Sequence, residues 1–297
     1  AATAAMPDGT GIDKVINEFP ERVWDTGICE SHALDMLAGM AKTGCKPFFA
    51  VYSTFLQRAF DQAFQEVALQ GLPLRFCLDR AGLVGGDGAI HHGFCDIALL
   101  RVLPNAALTA AMDEPSLRAA MKWMLSYEEG LSAVRYPRDT VHEPIDDCPE
   151  FELGKARMLT SVSNPKLAIL AYGVLAYDSI VAAERVDPQG IEVYDARFAK
   201  PVDGDLIEDL ITRNIPIMTV EEHASIGGFG SAVIEEANSR QLDSSFITVL
   251  GLPDRFIGHG SRSEQLEEAG IDAVGIAAAA NRILQTENIE TPVVITP

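Results

Sequence analysis

Hydrophobic and polar positions along this chain follow two periods in turn. Short apolar runs occur at Pro47 to Tyr52 (PFFAVY), Leu72 to Leu78, Ala107 to Ala110 and Ser132 to Tyr136, and between them lie stretches in which apolar residues recur every three or four positions. The runs predict strands buried on both faces, and the second pattern predicts helices with one buried stripe. Helical stretches cover Asp13 to Phe19, Glu30 to Met40 and Pro115 to Tyr127. A longer one runs from Thr54 to Gln70, where Phe55, Ala59, Phe60, Ala63, Phe64 and Ala68 line one face. Val23 to Asp25 adds a short strand that stops at Gly27.

From Asp139 to Gly154 the pattern lapses into DTVHEPIDDCPEFELG, acidic and proline-bearing, the composition of a linker. Beyond it the alternation resumes. Strands are predicted at Leu167 to Ala171, Ile191 to Tyr194, Ile217 to Val220 and Phe246 to Leu250, and helices at Ala176 to Glu184, Gly204 to Ile211, Ser231 to Ser239 and Ala273 to Leu284. Such alternation indicates βαβ units and parallel sheets. The expected fold class is α/β, in two three-layer α/β/α domains over residues 1–148 and 149–297, and 297 residues suffice for two cores.

The formal net charge of −20 argues against a nucleic acid or an anionic membrane as partner, because Lys and Arg carry those interactions. A small anionic substrate stays compatible if a few arginines converge. Five cysteines without a CxxC pair argue against a disulfide framework or zinc ribbon and fit the reduced thiols of a cytoplasmic protein. No signal-peptide core and no uninterrupted apolar span of membrane length is present in the sequence. The opening AATAAMPDGTG has no start methionine and reads as a piece excised from a longer protein.

The candidate chemistry gathers in one stretch, Asp79 to Asp96 (DRAGLVGGDGAIHHGFCD), directly after a predicted strand. Carboxyl ends of parallel strands are where open α/β sheets place ligands. The adjacent His91 and His92 suit proton transfer or ligand binding. Tyr52 and Phe55 stand at the end of another predicted strand, where a flat ring would be received, and Arg58 follows on the exposed side of the helix. Arg135 and Arg138 stand near the end of a third, and guanidinium forks suit phosphate oxygens. Glu30 opens its helix, a place where the helix dipole alone favours an acid. Glu221-Glu222-His223, before the glycine-rich SIGGFG, is expected to pack against another domain or subunit.

Three separated motifs, AVYSTFLQRAFDQ, DRAGLVGGDGAIHHG and SAVRYPR, together resemble those of the 1-deoxy-D-xylulose-5-phosphate synthase family of the transketolase superfamily, in family order and spacing. The resemblance extends through GLPDRFIGHG and covers essentially the whole chain. It implies a pyrimidine-binding domain followed by a transketolase C-terminal domain, thiamine diphosphate as cofactor, and pyruvate and glyceraldehyde 3-phosphate as substrates. The implied reaction yields 1-deoxy-D-xylulose 5-phosphate and CO2, an isoprenoid precursor step. Glu30 would exchange a proton with the cofactor's aminopyrimidine, Phe55 would stack on that ring, and Tyr52 and Arg58 would lie nearby. Asp87 and His91 would face the reacting substrates, His91 as proton donor or acceptor, and Arg80 and Arg138 would bind the acceptor phosphate. The family also implies a homodimer.

Two departures qualify this. Ser31 stands where the family usually has Gln. Larger is the lack of a GDG motif with a distal Asn, the metal-diphosphate signature: the single GDG is Gly86-Asp87-Gly88, in the substrate loop. Mg2+ and the diphosphate are therefore expected on a separate domain or subunit, with no metal site here and an isolated chain that is inactive. Other readings remain open: a beta-type subunit of a split transketolase or 2-oxo acid dehydrogenase, a non-catalytic assembly module, or a metal site from His91, His92, Cys95 and Asp96. A nicotinamide site lacks its GxGxxG.

Overall fold

The computed structural model describes residues 1–287; residues 288–297, assigned above to the second domain, lie outside it. The strands are β1 (Ala2–Thr3), β2 (Trp24–Asp25), β3 (Phe48–Tyr52), β4 (Arg75–Asp79), β5 (Ala107–Ala110) and β6 (Ser132–Arg135), then β7 (Arg157–Thr160), β8 (Leu167–Tyr172), β9 (Ile191–Asp195), β10 (Phe198–Lys200), β11 (Ile217–Ala224) and β12 (Ile247–Leu252); all but β1, β7 and β10 fall on predicted runs. They form a seven-stranded sheet in the order β10-β5-β6-β4-β3-β1-β2 and a five-stranded sheet in the order β12-β11-β8-β9-β7.

The parallel expectation holds except at one edge of each sheet, where β10 runs antiparallel to β5 and β7 antiparallel to β9. Both strands are short and carry no period of their own, which is why pattern reading passes over them. β10 comes from the second half of the chain yet completes the first sheet. The apolar packing is continuous as well: Leu108 and Ala110 share one core cluster with Leu170, Tyr172 and Phe229.

The stretch read as one regular helix is helical but irregular. Ser53–Ala59 is a 3-10 helix, Phe60–Gln62 a brief α-helical turn and Ala63–Ala68 a π-helix. A 3-10 helix has three residues per turn, so positions three apart eclipse. Tyr52, Phe55 and Arg58 have that spacing, and the consequence appears in the site below. Helices Asp96–Arg101 and Arg262–Ala269 are additions to the predicted set. The second is too polar for an apolar stripe, but its reciprocal Ser261/Glu264 capping box is a sequence-level start signal. Among the described residues, no helix is long and apolar enough to cross a membrane.

Candidate active site

Sheet register brings the site together. β4 lies between β3 and β6, with Tyr52 opposite Asp79 and Leu78 opposite Arg135. The three strand ends that carry Tyr52, Arg80 and Arg138 are therefore neighbours on one carboxyl edge.

Arg80 is the hinge of the arrangement. It occupies the left-handed region at φ 56°, uncommon for a residue with a side chain, and its guanidinium is engaged all round. It lies 3.8 Å from the Tyr52 ring centroid, donates to the Gly9 carbonyl at 3.0 Å, and pairs with Asp79 at 3.2 Å and Asp87 at 3.3 Å. Burial pushes the Asp79 carboxyl above its usual range, against the pull of Arg80. Arg138, half exposed, stands 3.7 Å from the other oxygen of Asp87, so one carboxylate holds two guanidinium groups together.

On the other side of Tyr52, the Phe55 ring stacks at 5.5 Å and 10°, and the Arg58 guanidinium sits 4.5 Å from the Phe55 centroid. This alignment is what the three-residue turn of the 3-10 helix dictates. Arg58, 48% exposed, then donates to Glu30 at 2.6 Å, and Glu30 is 3% exposed at the start of helix Glu30–Lys42. His91 meets Phe55 edge-on at 5.7 Å. Its Nδ1 lies 2.9 Å from the Asp87 carbonyl. A carbonyl only accepts, so Nδ1 is the donor in this contact. All eight candidates thus join one contact path, Glu30–Arg58–Phe55–Tyr52–Arg80–Asp87–Arg138, with His91 bridging Phe55 and Asp87.

Arg135 does not join it. It is 6% exposed and makes a two-pronged pair with Asp96 at 2.9 and 3.2 Å, besides donating to the Gly93 and Glu222 carbonyls. Asp96 is consumed by that pair. Among the described residues, no group of three or more His, Cys, Asp or Glu is placed to hold a metal ion.

Other contributors have weak sequence signals. Gly9 receives Arg80 and sits so close to Tyr52 that a Cβ there would overlap the phenol; its only signal was a glycine in PDGTG. Glu222 accepts from the Leu83 N–H at 2.7 Å and pairs with Arg262. Gly82, at φ +81°, leaves no room for a Cβ against the Glu222 side chain. The Glu221-Glu222-His223 stretch therefore packs on the site loop. A cavity of 460 Å³ on this seam is lined by Leu83, Phe94, Ile226 and Phe256 among others, and by none of the eight path residues.

His223 makes this seam sensitive to acid. It is fully buried, with Nδ1 donating to the Ala224 carbonyl at 2.8 Å and Nε2 accepting from the Ala98 N–H at 3.4 Å. Accepting at Nε2 requires the neutral ring, since a protonated imidazole carries a hydrogen on both nitrogens. Burial, with Arg135 assisting and Asp96 opposing, pushes its pKa down to about 4 from 6.5. Between those values the unfolded chain binds the extra proton, so this contribution is complete above 6.5 and is lost as pH falls towards 4, by up to about 1.4 kcal/mol per pH unit. His223→Gln, which keeps a donor and an acceptor, is expected to flatten the loss; urea midpoints on both sides of that window check it, and an unchanged slope refutes the assignment.

Residues 1–143 match the family model of the transketolase pyrimidine-binding domain, and residues 154–276 that of the transketolase C-terminal domain. The chain is 43% identical to 1-deoxy-D-xylulose-5-phosphate synthase of Gloeobacter violaceus, over 98% of this chain and 46% of the relative. It is also 43% identical to 1-deoxy-D-xylulose-5-phosphate synthase 1 of Geobacter sulfurreducens, with the same shares. The chain thus spans about half the length of these curated relatives. A split-gene transketolase, described as an inactive beta4 tetramer, superposes with a TM-score of 0.82 at 27% identity, over 96% of this chain and 91% of that one. Transketolase from Leishmania mexicana shares the fold, with a TM-score of 0.78 at 16% identity over 96% of this chain and 42% of its own.

Proposed function

Since this chain belongs to the transketolase family and carries its pyrimidine-binding and C-terminal domains, we propose that it supplies the aminopyrimidine and substrate-phosphate half of a 1-deoxy-D-xylulose-5-phosphate synthase site. The reaction joins pyruvate and glyceraldehyde 3-phosphate with loss of CO2. The observation that carries this reading is the unbroken contact path from Glu30 to Arg138. The donor set fits thiamine diphosphate: a buried carboxylate beside an aromatic ring suits a flat aminopyrimidine. When bound, that cofactor supplies an acidic thiazolium carbon able to add to a 2-oxo acid.

This chain's residues do the rest. Glu30 holds and releases a proton at the pyrimidine nitrogen, and Phe55 gives the ring a stacking surface. Arg58 covers Phe55 and Glu30 together, so its half-exposed arm moves aside for the ring. His91 Nε2 is the proton acceptor facing the substrates. Asp87 keeps the Arg80 and Arg138 guanidinium groups apart by one anion's width, and the phosphate takes up the same pair of positive charges. The diphosphate and Mg2+ are held by a domain or subunit outside this chain, and the assembly is a homodimer.

Arg80→Ala or Arg138→Ala is expected to raise the KM for glyceraldehyde 3-phosphate by about one to two orders of magnitude, since a charge-assisted bond contributes about 1.5–3 kcal/mol. Pyruvate has no phosphate, so its KM changes little. Steady-state kinetics on the completed enzyme decides: equal effects on both substrates, or none, put the phosphate elsewhere.

A second reading concerns delivery of the missing half. The 91% coverage of the split-gene chain favours a beta-type subunit working with a separate alpha chain. Activity restored on mixing with a separately produced diphosphate-binding chain supports it; activity that appears only when the two are fused removes it.

A further inference from the structure

Helix Arg262–Ala269 of the second domain packs on the Gly85–Asp87 turn, and its first turn holds the two backbone segments on which the phosphate arginines depend. Gln265 is 1% exposed. Its Oε1 accepts from the Gly85 N–H at 2.8 Å, and its Nε2 donates to the Gly85 carbonyl at 3.2 Å and the Gly258 carbonyl at 2.8 Å. One amide therefore reads both backbone groups of the residue two before Asp87. An amide alone offers an acceptor and two donors at one side-chain tip; a glutamate would set an anion against two carbonyls.

Three residues earlier on the same helix, Arg262 donates to Asp139 at 2.6 Å and pairs with Glu222. Asp139 adjoins Arg138, and Glu222 receives the Leu83 N–H. So Gln265 anchors the loop that carries Asp87, and Arg262 anchors the strand end that carries Arg138. The two anchors lie one helical turn apart on a capped helix. The spacing between Asp87 and Arg138 is thereby tied to a rigid element.

We propose that Gln265 and Arg262 are positioning residues for the phosphate-binding arginine pair, a role that rests on the proposed substrate and goes beyond it by assigning residues of the second domain to acceptor specificity. In the completed enzyme the readout is the ratio of kcat/KM for D-glyceraldehyde 3-phosphate to kcat/KM for unphosphorylated D-glyceraldehyde. Gln265→Met fills the same volume and removes the bonds to Gly85. It is expected to lower that ratio by about tenfold, the worth of one net hydrogen bond to correct placement, with the KM for pyruvate within about twofold of wild type. Asp139→Ala removes one partner of Arg262 at an exposed side chain, so folding is preserved, and it is expected to lower the ratio by about threefold.

Hydrogen exchange at the amide of Gly85 should quicken in Gln265→Met, independently of catalysis. An unchanged ratio in both variants, beside a lowered ratio in Arg80→Ala, overturns the positioning role and leaves the phosphate site standing. An unchanged ratio in Arg80→Ala overturns the phosphate site and this inference with it. Slow Gly85 exchange in Gln265→Met also overturns the inference, because the loop then keeps its place without the glutamine.

Discussion

Replacing Glu30 with glutamine in the completed enzyme is expected to lower kcat by about two to four orders of magnitude, the usual worth of a positioned acid-base group. The fold should survive. Glutamine has the shape of glutamate, and its carbonyl oxygen still accepts from Arg58, whose half-exposed side chain leaves little ion-pair energy to lose. What goes is the proton: an amide cannot hold and release one at the pyrimidine nitrogen. If Glu30 is only a first-turn acid opposite the helix dipole, the change costs about 0.3–1 kcal/mol of stability and nothing in rate. Two measurements separate the cases. Deuterium exchange at the cofactor's thiazolium carbon should slow in step with kcat, while the melting temperature stays near that of wild type. Exchange at the wild-type rate in Glu30→Gln would remove the residue from its role.

Asp96→Ala is expected to be the most damaging single change to stability, at about 3–5 kcal/mol, because it leaves a buried guanidinium unpaired. Asp96 is 1% exposed, and its partner Arg135 sits where the first sheet, the site loop and the end of β11 meet. Burial pulls the Arg135 guanidinium down, and the charge and hydrogen bonds of Asp96 more than offset it, so it stays charged. Removing the acid keeps the burial and deletes the compensation. The double change Asp96→Leu with Arg135→Met takes away both charges and should cost less than Asp96→Ala alone, since a buried pair contributes little net stability over apolar residues. Urea denaturation of the three variants tests this, and a loss under about 1 kcal/mol for Asp96→Ala would show that Arg135 is held by the carbonyls alone.

Periodicity was a sound guide wherever an element is organised by its own apolar face. Strands β3, β4, β8, β9 and β11 and the helices Glu30–Lys42 and Leu175–Val186 lie within a few residues of where the two hydrophobic periods put them. Burial on one stripe or on both faces is a local property, written into consecutive residues. β10 and helix Arg262–Ala269 were not legible in that way, since each is held by partners far away in the chain. The 3-10 geometry of Ser53–Ala59 escaped for a related reason: three- and four-residue apolar spacings fit either helix, so the pattern does not show that Tyr52, Phe55 and Arg58 line up between Arg80 and Glu30.

The eight candidate residues came from a likeness of motifs, which carries no distances. Arg135 and Arg138, three residues apart in the same motif, look alike in the sequence. Strand register sends the first into the interior against Asp96 and leaves the second at the edge beside Asp87. Gly9, Glu222, Arg262 and Gln265 lie outside those three motifs. Their part depends on strand order, which puts β4 between β3 and β6, and on a second domain whose helix reaches back over the loop. Several of these contacts join residues more than a hundred positions apart, and no period along the chain records which distant neighbour a folded backbone will bring within hydrogen-bonding distance.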